Sequence, residues 1–392
     1  MTLATETESS AKRRLILRDA LTFLGLLLIT VVLFVITLFL FRSFAAHREE
    51  LAQRWSARGE AAISSGRPDE AIVALRTALS YAPGERSYER LLAQALGDAG
   101  HTEESYNYFL GLWETQPGDG IINLRLARLA AKKNDVQAAT NYYRASIYGT
   151  WEGDGAVRRR DVRLELSQYL LAHRNLSSAR TELLIAGGNA PDDVDLARTV
   201  APLLEQAGDP NDALAYYQKV LAREPENRDA LEAAGRLEYD SGRFDEAHAL
   251  LERAVRGHAG ENAGATVPPA ITAMLDNSAR TLALAPLKKL PPAQRADRIL
   301  NARDLAKKRF ESCNAQVAAA SGLSAPLQTL GQRWSAKEAT VNRSALLNDS
   351  TEEDAVMTLV YDTETQTSQI CGAPVGDDAM LLLLAKSPKA VE

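Results

Sequence analysis

Cysteine is scarce in this chain: Cys313 and Cys371 are the only two in 392 residues. That excludes a disulfide-dense scaffold, though not a single bridge. Histidine is almost as scarce, with five residues, and none lies beyond His258. A Cys–His dyad would therefore have to borrow its base from outside the C-terminal segment. HExxH, GxSxG, CxxC and P-loop motifs are absent, and no metal-ligand spacing appears. Gly153 and Gly155 form only a fragment of a dinucleotide motif, with no strand before them. A basic excess is missing too. Lys plus Arg number 45 against 51 Asp plus Glu, a net charge of -6, so no global basic field exists to hold nucleic acid. These absences predict a chain that is not an enzyme and takes no cofactor, metal, nucleic acid or small-molecule substrate. The surviving enzymatic alternative is an unrecognised site in residues 290–392. Its sign would be a pocket holding ionisable groups with shifted pKa.

What the chain does have is one long apolar run. Ala20 to Phe41 carries no charge and no proline, and its only hydroxyl side chains are threonines. As a helix it would span roughly 33 Å, enough for a hydrocarbon core of about 30 Å. A cleaved signal peptide is the rival reading, with Ser43-Phe44-Ala45 as a cleavage site, but the run is longer than a signal h-region. Lys12, Arg13, Arg14 and Arg18 precede it; Arg42, Arg48 and Arg54 follow it. That slight bias predicts a single-pass cell-membrane protein, N-terminus cytoplasmic and C-terminal part extracytoplasmic.

A period of 34 residues follows. Pro83 and Pro117 are 34 apart, as are Pro191 and Pro225. In the first unit Trp55, Gly59, Gly66, Ala71, Leu75, Ala78 and Pro83 fall in a fixed order. Small residues recur at Ala139, Ala179, Ala213 and Ala247, where two crossing helices leave no space for more. Bulky ones recur at Phe109, Tyr143, Leu183, Tyr217 and Leu251. Gly66, Gly100, Gly208 and Gly242 suit tight interhelix turns that need positive φ. Prolines close four of the units, and the sixth ends without one. The third unit has Trp151 in place of its proline, and a short insertion near Gly153–Arg159 precedes the fourth. That insertion, with Arg158-Arg159-Arg160, reads as a surface loop.

This pattern resembles the tetratricopeptide-repeat family over residues 52–261, in six units. The resemblance implies helix pairs stacked in one right-handed superhelix whose first helices line a peptide-binding groove. Carried over by register, the groove residues are Arg90, Gln94, Arg128, Gln168, Arg198 and Arg236. Four arginines suit an acidic or carboxylate-ended protein or peptide ligand. The alternative is that they pair with nearby acids such as Glu60, Asp229 and Glu232. The Lys and Asn of the family's carboxylate clamp are not found.

The expected organisation is a basic tail (1–19), a transmembrane helix (20–41), a juxtamembrane stalk (42–51), the repeats (52–261), a linker with a capping helix (262–292) and a C-terminal α+β domain (293–392). The fold class is thus mainly α. In the last domain a long helix is expected from Ala293 to about Ala320, with Cys313 on its buried face. A hairpin is expected from Ala355–Tyr361 and Ser368–Cys371, and Met380–Ala385 reads as strand or helix alike. Cys313 and Cys371 would form a disulfide if that domain is exported; otherwise Cys313 is a small buried hydrophobe. The whole reads as a membrane-anchored scaffold binding other polypeptides in an envelope complex. A cytoplasm-facing adaptor that recruits soluble proteins is the alternative.

Overall fold

The computed structural model describes residues 4–258, 267–320 and 325–387. Among them the chain is helical, with no strand beyond a single bridge between Asp119 and Thr150. It divides into two compact units, residues 1–166 and 167–392.

The first unit opens on α1 (Ala4–Ser64), a helix of 61 residues. It is the one described helix long and apolar enough to cross a membrane. Its apolar stretch is exposed throughout, and Thr22, Thr30 and Thr37 return their hydroxyls to the carbonyls of Asp19, Leu26 and Leu33. Residues 42–51 continue the same helix without a break, so the expected stalk is helical. Then come α2 (Pro68–Tyr81), α3 (Arg86–Asp98), α4 (Thr102–Thr115), α5 (Gly120–Lys132) and α6 (Val136–Tyr148). The end of α1 pairs with α2, α3 with α4, and α5 with α6.

Close approach sets each pair. Gly59 of α1 has no room for a methyl group, since a Cβ there would lie 2.6 Å from Leu75 Cγ of α2. Ala71 and Leu75 are fully buried, and so are Ala62, Leu92 and Leu96 around them. Each such leucine contributes about 1.5–3 kcal/mol. In the second pair Ser105 replaces the small alanine and stays buried by donating to the Ala93 carbonyl at 2.7 Å.

The insertion is not the expected loop. α7 (Gly155–Ala172) starts inside it and runs across the boundary between the units. Asp154 accepts from the Val157 N–H and starts the helix, placing Arg158-Arg159-Arg160 on its first turns. Trp151, where the closing proline is missing, donates from Nε1 to the Ser146 carbonyl at 2.9 Å and packs on Gly120.

The second unit continues with α8 (Leu176–Gly188), α9 (Val194–Gln206), α10 (Pro210–Arg223), α11 (Arg228–Asp240) and α12 (Phe244–His258). In the α11–α12 pair, a Cβ on Gly235 would lie 2.7 Å from Leu251, repeating the Gly59–Leu75 contact. The backbone also carries the repeat. Gly66, Gly100, Gly208 and Gly242 have positive φ, and Asn134 and Arg174 take the same left-handed conformation at φ 59° and 60°. All six turns are 34 residues apart except for one step of 40 (174 − 134 = 40), which measures the insertion as six residues.

Residues 259–266, the end of the expected repeats and the start of the expected linker, lie outside the described residues. α13 (Pro269–Leu284) follows, and Ile271 packs against Ala247 and Leu251 of α12. The rest of the unit comprises α14 (Pro292–Ala320), α15 (Ala325–Trp334), a 3-10 turn at Lys337–Thr340, α16 (Arg343–Asn348), α17 (Ser350–Cys371) and α18 (Asp377–Lys386). The α+β expectation therefore fails: the hairpin is one helix, α17, and Met380–Ala385 lies in helix α18. The Val- and Thr-rich composition suggested strands, but burial overrode it. Val356, Leu359, Val360, Thr363 and Thr367 fall on one helical side and are fully buried. Thr363 and Thr367 make this tolerable by donating to the carbonyls of Leu359 and Thr363 at 2.7 and 2.8 Å.

Helices α14 and α17 run parallel and are tied at both ends. Arg295 Nε donates to both carboxylate oxygens of Glu353, at 3.0 and 2.8 Å. Eighteen residues further along each helix, Cys313 and Cys371 form a disulfide with Cα atoms 5.8 Å apart.

Candidate peptide-binding face and a C-terminal cleft

In the first unit a cleft of about 210 Å³ opens between α3, α4 and α5. Gln94 and Asp98 line one side, Ser105 and Phe109 the floor, and Arg125, Arg128 and Lys132 the other side. The three cations share a face because they are spaced three and then four residues apart on α5. Their states differ. Arg128 forms a fork with Glu165, both bonds 2.7 Å, and Lys132 donates to the Gly97 carbonyl at 3.3 Å. The Tyr143 hydroxyl also donates to Glu165 at 2.7 Å. Burial pushes the Glu165 carboxyl up, but the hydrogen bonds from Arg128 and Tyr143 win and hold it below its usual range. Arg125 is half-buried and has no hydrogen bond or ion pair among the described residues. Burial pulls its guanidinium below its usual range, more than nearby Asp98 lifts it. A desolvated cation without a partner favours an incoming anion.

The register-derived residues divide accordingly. Gln94 and Arg128 meet in this cleft. Arg90 is exposed and lies outside its lining. In the second unit Gln168 lines a separate pocket of about 270 Å³ with Leu171, Leu203 and Gln206. Arg198 is held by Asp195 at 2.8 Å and by Glu224. Arg236 is held by Glu205, which also accepts from the Tyr217 hydroxyl at 2.7 Å. Three of the four arginines thus pair with acids, though with Glu165, Glu224 and Glu205 rather than Glu60, Asp229 and Glu232. Register alone missed Arg125. The signal available in the sequence was the Arg125–Arg128–Lys132 stripe at helical spacing.

A larger cleft, about 580 Å³, lies among the C-terminal helices. Ser350, Glu353, Asp354, Met357, Thr358 and Tyr361 give it one face of α17, with Ile299 of α14 and Leu384 of α18 opposite. Burial pushes the Tyr361 phenol up to about 12, and its hydroxyl has no hydrogen-bond partner among the described residues. That shift moves tyrosine away from use as a base or nucleophile at neutral pH. Nearby on α17, Glu364 is fully buried and neither carboxylate oxygen has a hydrogen-bond partner among the described residues. Burial first, and Asp378 second, push its carboxyl up to about 8, against the pull of Arg309. With both cysteines bridged, no free thiol is present to serve as a nucleophile.

Helix pairs repeating at 34 residues, with one left-handed turn residue in each, identify the repeat. This chain carries tetratricopeptide repeats. The family's profiles match residues 52–85 and 204–266, within the first pair and from the end of α9 through α12. No curated protein matches the chain. Among solved structures it is similar to YrrB, described as a tetratricopeptide-repeat protein with an unusual peptide-binding site. Identity there is 15%, over 48% of this chain and 93% of that one, with a TM-score of 0.37. PilF of Pseudomonas aeruginosa is 16% identical over 55% of this chain and 95% of its own, TM-score 0.38. MamA of Desulfovibrio magneticus RS-1 is 14% identical over 45% and 96%, TM-score 0.37. None of these likenesses carries weight for partner or mechanism. Tetratricopeptide repeats form protein-interaction scaffolds, and the α3–α5 cleft is where this one offers an unpaired charge.

Proposed function

We propose that this tetratricopeptide-repeat chain is a non-catalytic scaffold, anchored in the cell membrane through Ala20–Phe41, that captures an acidic or carboxylate-bearing polypeptide in the α3–α5 cleft. The observation that carries the reading is Arg125, half-buried and without an anionic partner beside Arg128 and Lys132. The anchor reading is supported by the exposed apolar length of α1 and by the internal bonding of its threonines. The Cys313–Cys371 bridge supports the exported placement of the C-terminal part, because disulfides persist in oxidising compartments.

Crosslinked capture from native membranes would supply the partner. Arg125→Glu should then lower capture by at least about ten-fold, equivalent to roughly 1.4 kcal/mol, while Arg198→Glu leaves it within about two-fold. Unchanged capture by a folded Arg125→Glu protein would sink the cleft reading. Reporter fusions at the C-terminus test sidedness separately: a cytoplasmic signal there would favour the adaptor that faces the cytoplasm.

A further inference from the structure

The unbroken course of α1 places the first repeat at a defined height above its apolar stretch. Phe41 ends that stretch, and Arg48 is the first residue after it to lose exposure. Seven helical residues rise about 10 Å. The polar layer of a bilayer is about 5–8 Å deep on each side. From Arg48 the guanidinium donates to the Tyr81 carbonyl at 2.6 Å. The last residue of α2, and the turn that follows it, are thereby held at the foot of the repeat. α2 runs back along α1 from the Ser65–Arg67 turn, so its C-terminal end is the end nearest the apolar stretch.

The chemistry of that edge fits lipid headgroups. Tyr81 is half-buried, an amphipathic ring of the kind enriched at membrane interfaces. Pro83, Gly84 and Arg86 are exposed, and Arg42 is exposed at the end of the apolar stretch. Arg42 and Arg86 have no ion pair among the described residues. Two of the four neighbouring acids are engaged: Glu85 caps α3 through Ser87, and Glu50 pairs with Arg54 at 2.5 Å. Glu49 and Glu89 have no such tie among the described residues.

We propose that the α2–α3 turn, with Tyr81, Pro83 and Arg86, rests on the phospholipid headgroup layer, seating the first repeat directly on the bilayer. The proposal relies on the reading of Ala20–Phe41 as a membrane span. Its partner is the lipid phosphate layer, reached by Arg42 and Arg86, with Tyr81 at the interface.

The test uses the full chain in vesicles of phosphatidylethanolamine and phosphatidylglycerol. A photoreactive benzoylphenylalanine replaces, in separate proteins, Phe34 within the apolar run, Pro83 at the proposed contact, or Ser65 at the far end of the helix pair. Ser65 lies roughly 25 Å further along α1 than Arg48. Lipid adducts are read by mass spectrometry. Adducts at 34 and 83 with background at 65 support the proposal. An adduct at 34 with background at 83 overturns it and leaves the anchor standing. Background at 34 removes the anchor and the proposal together. Equal labelling at 83 and 65 overturns it as well, since the contact would then lack an orientation.

Discussion

The repeats and the C-terminal helices are held by ties of different reach. In the repeats each contact joins neighbours: Gly59 meets Leu75, and Gly235 meets Leu251, each across one turn. In the C-terminal helices the ties cross long stretches of chain. Cys313 meets Cys371 and Arg295 meets Glu353 across the same 58-residue separation. Arg343 holds Asp297, and Arg333 holds Asp362. Damage to a repeat should therefore stay local, whereas cutting one long tie should loosen several helices together.

The largest test of that contrast removes the bridge. Changing both Cys313 and Cys371 to Ser should destabilise α14 and α17 by about 4 kcal/mol in the chain-entropy picture. Hydrogen exchange would show it as faster exchange in both helices with α1–α6 unaltered; equal loss in the repeats would break the contrast.

Glu364 gives the next effect. Its native carboxyl is pushed up to about 8, while an unfolded glutamate titrates near about 4.3. Between those values the unfolded state has released a proton that the native state keeps, so stability is highest below the unfolded value and falls as pH rises. The loss from pH 5 to pH 8 is about 3–4 kcal/mol on this linkage. Glu364→Gln should flatten the dependence, read from exchange in α17 at the two pH values. A slope as steep in the variant as in the native chain would remove Glu364 as its cause.

Gly59→Ala comes third. The added methyl meets Leu75 at under 3 Å, and overpacking costs about 1–3 kcal/mol. Its effect should stop within α1, α2 and the neighbouring α3, as site-resolved exchange would reveal. Smallest of all is Arg198→Ala. It breaks exposed pairs with Asp195 and Glu224 and should cost no more than about 1 kcal/mol by thermal melting.

The same contrast explains what could be read from residue order alone. A repeat writes its contacts locally, so Ala71, Leu75 and Pro83 betray the first pair, and their copies betray the others. Asn134 and Arg174 escaped notice because neither is glycine, although each holds the turn conformation that glycine holds elsewhere. The C-terminal helices hide their logic in distant partners. Val356, Leu359 and Val360 look like strand residues until α14 and α18 cover them. In the cleft, Gln94 and Arg128 follow from register. The importance of Arg125 does not, because what singles it out is that Glu165 is taken by Arg128.

Those two unusual turns carry a kinetic consequence. A side chain other than glycine in the left-handed conformation costs roughly 1 kcal/mol, less for asparagine and more for arginine. In a linear array, opening begins where the local penalty is greatest rather than at a fixed place. The α7–α8 turn at Arg174, and after it the α5–α6 turn at Asn134, are thus where the solenoid should first breathe. Inside the array, they are the points at which a protease or a chaperone would gain entry.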